Sequence, residues 1–167
     1  QNTNDAPSIV SEPVTPAIED EPYLYDVEAA DVDGDALTYE FVNAPALMLI
    51  DAAAGLIMWT PSNEDVGQHY ILIRVSDGNL SATQAFNITV ANVNDPPLII
   101  SIPVTNATVH QLYSYGVNAT DPDGDRVTYS LIIAPKRMNI DGRTGVITWV
   151  PRSPDFGENN VVVAASD

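Results

Sequence analysis

Between Tyr70 and Val75 apolar and polar side chains alternate, and from Ala85 to Val90 they do so again, placing Phe86, Ile88 and Val90 on one face. A period of two marks a strand with one face buried. Similar β-branched and aromatic runs recur along the chain, separated by clusters of Gly, Pro, Asn and Asp that favour tight turns. Few segments have the length or periodicity of a helix. About seven short strands in each stretch of about 90 residues, with evenly spaced turns, predict an all-β fold of the Greek-key sandwich type. Trp59 and Trp149 each follow Gly-x-Ile-x and precede a proline by two positions, which predicts core or sandwich-edge packing. Tyr23, Tyr25, Tyr113 and Tyr115 take the same reading.

The pattern is also repeated as a whole. Asp31-Val32-Asp33-Gly34-Asp35 returns 90 positions later as Asp121-Pro122-Asp123-Gly124-Asp125. The same shift, with no gap, carries Tyr39 onto Tyr129, Met48 onto Met138, Asp51 onto Asp141, Gly55 onto Gly145, Trp59 onto Trp149 and Asp77 onto Asp167. Asn4-Asp5-Ala6-Pro7 likewise maps onto Asn94-Asp95-Pro96-Pro97, so an Asn-Asp-x-Pro linker opens each copy. Two tandem sandwiches are therefore expected, 1–93 and 94–167. The second copy reaches Asp167 before any counterpart of Ser81 to Val93. It is expected to lack its last strand in this chain and to leave a sheet edge open to a strand from a neighbouring chain or from the N-terminal arm, a route to a dimer.

Charge narrows the function. The chain carries 23 acids against 6 Lys and Arg, a formal charge of −17. Nucleic-acid binding depends on cations that displace counterions from phosphate, so that class is excluded, and an anionic membrane is an equally poor partner. No apolar run approaches the roughly 18 residues of a membrane span. The absence of cysteine removes disulfides, thiolate metal sites and cysteine nucleophiles. A hydrophobic content of 45% is that of a folded domain, so the acids belong to a globular chain.

Those acids are unevenly placed. Residues 1 to 95 hold 16 of them with Arg74 as the sole base, whereas the remainder holds 7 acids and 5 bases. They gather at predicted strand ends, in Glu19-Asp20-Glu21, Asp31/Asp33/Asp35, Asp77 and the Asn92-Val93-Asn94-Asp95 segment. Crowded like charge costs free energy unless a cation intervenes. Calcium takes six to eight oxygen ligands at about 2.3–2.6 Å from carboxylates, Asn side chains and carbonyls, which are the residue types present. An Asp-x-Asp-Gly-Asp turn can aim two or three carboxylates at one point. The helix-loop-helix calcium hand is excluded, because its sixth and twelfth positions should be Gly and Glu and here are Ala36 and Val42, or Arg126 and Ile132.

These residues resemble the cadherin repeat, and more closely its dystroglycan-type and prokaryotic cadherin-like relatives. The signature is Ala29-Ala30-Asp31-Val32-Asp33 with Thr38-Tyr39, Ile50-Asp51 with Gly55-Leu56-Ile57, Val75-Ser76-Asp77-Gly78, and Ile88-Thr89-Val90 followed by Asn92-Val93-Asn94-Asp95-Pro96-Pro97. The likeness covers nearly the whole chain. It implies Ig-like, cadherin-like sandwiches that hold Ca²⁺ at the junction between successive repeats. It implies as ligands Glu19 or Glu21, Asn92 and Asp95 from the first repeat and linker, Asp121, Asp123 and Asp167 from the second, and Asn94 toward the second. An upstream set would be Asn4, Asp5, Asp31, Asp33 and Asp77. Ser62-Asn63-Glu64-Asp65 stands where cadherins carry a further acidic motif, and Val109 or Gln111 replaces Glu19 or Glu21, departures that imply fewer ions.

The chain is accordingly read as an extracellular, calcium-rigidified structural or adhesive module. Its expected partners are other cadherin-like domains of the same or a neighbouring chain, or a cell-surface protein or polysaccharide. An alternative is a carbohydrate-binding accessory module of a secreted polysaccharide-degrading enzyme, with Trp59, Trp149 or Tyr70 as a stacking platform. No catalytic residue is expected: His69 and His110 do not align under the shift, read as surface or edge residues, and have no nucleophile nearby.

Overall fold

The computed structural model describes residues 3–167, and the alternating runs become strands whose inward residues are buried and outward residues exposed. The chain divides into two compact units, Gln1–Val93 and Asn94–Asp167. In the first unit the strands are β1 (Ser8–Ile9), β2 (Pro16–Ile18), β3 (Tyr23–Asp26), β4 (Ala29–Ala30), β5 (Thr38–Asn43), β6 (Leu49–Ile50), β7 (Leu56–Trp59), β8 (Gly67–Ser76) and β9 (Ser81–Ala91). They form a four-stranded sheet in the order β2-β9-β8-β5, a three-stranded sheet β3-β7-β6 and the short pair β1-β4. All of these ladders are antiparallel except the parallel pairing of β2 with β9.

The core of this unit joins the inward residues of the two larger sheets. Tyr23, Tyr25, Ile57 and Trp59 come from one, and Ile71, Ile73, Val75, Phe86, Ile88 and Val90 from the other. The tyrosines and tryptophan are core residues, as their setting in the sequence predicts. Tyr23 donates to the Val14 carbonyl at 2.6 Å, and its burial raises the pKa of its hydroxyl. The Trp59 ring meets Tyr23 and His69 edge-on, at centroid distances of 6.5 and 5.2 Å. His69 is thus no plain surface residue. Its ring packs on Trp59 while one nitrogen lies 2.6 Å from the Asp65 carbonyl.

The second unit repeats this plan with β10 (Leu98–Ile99), β11 (Tyr113–Gly116), β12 (Ala119–Thr120), β13 (Thr128–Ile133), β14 (Asn139–Ile140), β15 (Val146–Trp149) and β16 (Val162–Ser166). Its sheets are β11-β15-β14, β13-β16 and β10-β12. Trp149 is buried and donates to the Lys136 carbonyl at 3.2 Å. Among the described residues there is no α-helix, and no helix is long and apolar enough to cross a membrane.

One turn, present in both units, is tied by an aspartate. Asp51 Oδ1 accepts the backbone N–H groups of Ala53 and Ala54 at 2.8 and 2.9 Å, and Asp141 Oδ1 accepts those of Arg143 and Thr144 at 2.9 Å each. The turn closes on a glycine for two reasons. Gly55 has φ of +77°, and a β-carbon there would fall 2.6 Å from the Val27 carbonyl oxygen.

These bonds also fix the sign of a pH effect. The Ala54 and then the Ala53 N–H hold the Asp51 carboxyl below its ordinary pKa, and the Thr144 and Arg143 N–H groups do the same for Asp141. A folded-state pKa below the unfolded one means stabilisation that is full above the unfolded value, about 4, and is lost as pH falls through the folded value. In chelator, the unfolding midpoint is expected to drop as pH falls below about 4. Asp51→Asn, which keeps Oδ1 but cannot titrate, should flatten that fall. An unaltered pH profile in this variant would count against the assignment.

Candidate metal centre

The Asp-x-Asp-Gly-Asp segments lie just after β4 and β12, where each chain leaves its short edge pair. Each is wound around its first carboxylate. Asp31 Oδ1 accepts the N–H groups of Asp33 and Asp35 at 2.8 and 3.3 Å, and Asp121 Oδ1 accepts those of Asp123 and Asp125 at 3.0 and 3.1 Å. The glycine at the fourth position has positive φ in both, +77° for Gly34 and +78° for Gly124, which bends the loop back over that oxygen.

With one oxygen fixed in the turn, the other is left over. Asp31 Oδ2 and Asp121 Oδ2 are both buried and both lack a hydrogen-bond partner. A buried acceptor without a donor is costly, and more so when it carries charge. In the first unit Asp31, Asp33 and Asp35 each present a carboxylate oxygen, all within 4.8 Å of one another. Three like charges at that spacing repel one another, and together their oxygens could hold a metal ion.

The linker of each unit is held to the same place. In the first unit the Asp5 N–H donates to Asp33 Oδ2 at 2.7 Å and Asn4 Nδ2 to Asp77 Oδ2 at 2.9 Å. In the second the Asp95 N–H donates to Asp123 Oδ2 at 2.6 Å and Asn94 Nδ2 to Asp167 Oδ2 at 2.6 Å. The Asp77 carboxyl is kept below its ordinary pKa chiefly by the Leu80 N–H, then by the Asn79 N–H and the Asn4 amide, so it stays ionised. The residues Asn4, Asp5, Asp31, Asp33 and Asp77 are therefore brought together in one unit, and Asn94, Asp95, Asp121, Asp123 and Asp167 in the other.

Three sequence candidates remain. Glu19, just past β2, is 1% exposed; it accepts the Val93 N–H through Oε1, and its Oε2 is buried without a partner. Glu21 and Asn92 are exposed. Asp35 is not among the expected ligands yet joins the cluster, and the motif itself is the signal that could have found it. Asp65 serves the backbone instead. Its Oδ2 accepts both the N–H and the hydroxyl of Ser62 at 2.9 Å, closing the short 3-10 turn Asn63–Asp65. Trp59 and Trp149 are 4% and 6% exposed, so they form no stacking platform on the surface.

Paired β-sandwich units, each with its linker tied to an acidic turn, define this as a tandem module of cadherin-like, Ig-like repeats. The chain belongs to the family described as Putative Ig domain, whose model matches it twice, over residues 6–91 and 96–167. It is 34% identical over 110 residues to Chitinase A of Pseudoalteromonas piscicida, a match covering 63% of this chain and 13% of that protein. The chain thus corresponds to a small part of that relative. Among solved structures it is similar to human protocadherin-24 EC1-2, with TM-score 0.58, 18% identity and coverage of 99% of this chain and 95% of that one. It is also similar to an endo-fucoidan hydrolase of glycoside hydrolase family 107, with TM-score 0.51, 24% identity and coverage of 97% and 27%. At these identities the two structures speak for the fold alone.

Proposed function

We propose that each unit binds Ca²⁺ at its acidic turn, and that the pair is a non-catalytic structural module of an extracellular protein. The observation that carries this reading is the recurrence, at equivalent positions, of a buried and unpartnered carboxylate oxygen, Asp31 Oδ2 and Asp121 Oδ2. A hard cation with several oxygen ligands satisfies such an atom and relieves the repulsion around it. Asp31, Asp33, Asp35 and Asp77 with Asn4 and Asp5 would hold the ion in the first unit, and Asp121, Asp123 and Asp167 with Asn94 and Asp95 in the second. Glu19 is a further ligand on the same argument.

Bound ions would fasten the Asn-Asp linker onto the unit it opens and so turn a hinge into a fixed strut. That mechanical role suits contact with further repeats of this type or with a cell-surface protein. Anything that binds the folded chain alone stabilises it, by about 2.7 kcal/mol when free ligand is one hundred times its Kd. Thermal unfolding is therefore expected to shift upward by several degrees in calcium relative to chelator at matched ionic strength. An equal shift with magnesium, or none with calcium, would refute specific binding.

A second reading places the pair beside a polysaccharide-degrading catalytic domain, and the match to Chitinase A favours it. Pull-down on insoluble polysaccharide, with and without calcium, separates a sugar-binding module from a spacer. Both tryptophans are buried and Tyr70 alone of the three platform candidates is exposed, so retention is expected to be weak and to be lost in Tyr70→Ala.

A further inference from the structure

The outer face of the three-stranded sheet differs in kind between the two units. In the first, Leu24 on β3 and Leu49 on β6 both lie beside Met58 on β7, an exposed apolar row across the strands. The 90-residue shift replaces them with Ser114 on β11, Asn139 on β14 and Thr148 on β15, and the equivalent pairings set these side by side. All three are exposed. Two neighbouring positions change as well, Leu47 to Arg137 and Ser62 to Arg152. Arg137, Asn139, Thr148 and Arg152 border an open depression of about 250 Å³, with Leu112 and Val150 exposed at its rim.

Both arginines are tied to one carboxylate. Asp155 Oδ2 accepts from Arg137 Nη2 at 2.5 Å and from the Arg152 N–H at 2.7 Å. Arg137 also takes a left-handed backbone, with φ of +72°, which is unfavourable for a residue with a β-carbon and which its counterpart Leu47 does not share. Positive charge gathers here against the trend of the chain. Lys136, Arg137, Arg143 and Arg152 are four of its six bases, and the only acid from 136 to 152 is Asp141, whose Oδ1 is committed to the N–H groups of its own turn. Screening limits exposed charges to a range of about 8 Å at physiological ionic strength, so the local excess of cations sets the field that an anion meets at this face.

The chemistry of the face narrows its ligand. A guanidinium fork matches the oxygens of a carboxylate or a sulfate, and hydroxyl and amide side chains exchange hydrogen bonds with neighbouring hydroxyls. A protein interface places its apolar residues at the centre and its polar ones at the rim, the reverse of what stands here. We propose that this face of the second unit binds an acidic polysaccharide, with Arg137 and Arg152 on its sulfate or carboxylate groups and Ser114, Asn139 and Thr148 on its hydroxyls. The proposal rests on the second reading above for a polysaccharide within reach, and it needs no metal ion.

The test is binding of the full chain, in chelator, to immobilised dextran sulfate, polygalacturonate and neutral dextran. Binding to a charged polymer and not to dextran is expected, and the tighter of the two charged polymers tells sulfate from carboxylate. Arg152→Gln and Arg137→Asn should each weaken it at least fivefold, asparagine being chosen because it tolerates the left-handed backbone. Thr148→Met, which installs the residue of the first unit, should weaken it too without lowering the unfolding midpoint. Equal binding to dextran, no binding to either charged polymer, or full binding by both arginine variants would overturn the proposal. If retention on insoluble polysaccharide is lost in Tyr70→Ala while the arginine variants change nothing, the second reading stands and this one falls. Self-association that Arg152→Gln abolishes, without affinity for the polymers, would make the acidic surface of a second copy the occupant and overturn it as well.

Discussion

Asp121→Asn is expected to weaken calcium binding by the second unit at least tenfold while leaving the ion-free protein as stable as before, or slightly more so. The asparagine keeps Oδ1, which accepts the Asp123 and Asp125 N–H groups, so the turn survives. What it removes is one negative charge and the buried, unpartnered Oδ2. With a formal charge of −17, a lost carboxylate relieves repulsion when no ion is present. A purely structural aspartate would give the reverse pattern, lower stability in chelator and no change in calcium response. Equilibrium unfolding with calcium and with chelator distinguishes the two, and Asp31→Asn should repeat the behaviour in the first unit.

Ile73→Ala is expected to cost about 2–5 kcal/mol, the range for deleting a fully buried aliphatic side chain. Ile73 lies in β8, is 0% exposed, and is flanked in its sheet by β5 and β9. Val163→Ala at the equivalent position should cost under about 1 kcal/mol, because Val163 borders an open cavity and loses fewer contacts. Denaturant unfolding of both variants reads the difference. If the two substitutions cost the same, Ile73 and Val163 would be equally well packed, contrary to their different settings in the two units.

Much of this architecture is legible in the chain because the signals are local or repeated. Alternation marks β8 and β9, and the gapless 90-residue shift doubles every observation, so that one Asp-x-Asp-Gly-Asp motif supports the other. Tyr23, Tyr25, Trp59 and Trp149 are buried, as large apolar rings on the inner face of a strand require, whereas Tyr113 and Tyr115, expected in the core as well, are only half-buried. Three features escape such reading. The parallel pairing of β2 with β9 joins residues more than 70 positions apart, and nothing near Pro16 records its partner. The contact of His69 with Trp59 depends on how β8 crosses β7, which no local pattern carries. The roles of neighbouring acids also differ by geometry alone: Asp51 stitches a turn, Asp65 closes another, Asp31 leaves an oxygen over, and Glu21 is exposed.

Two repeats with the same leftover oxygen predict the same chemistry twice. Calorimetric titration of chelator-treated protein with calcium tests this most directly. The expected result is saturable binding with at least one ion per unit, reduced by one site in Asp31→Asn and by another in Asp121→Asn. A flat titration of the intact chain, or one that neither substitution alters, would contradict calcium binding at the acidic turns.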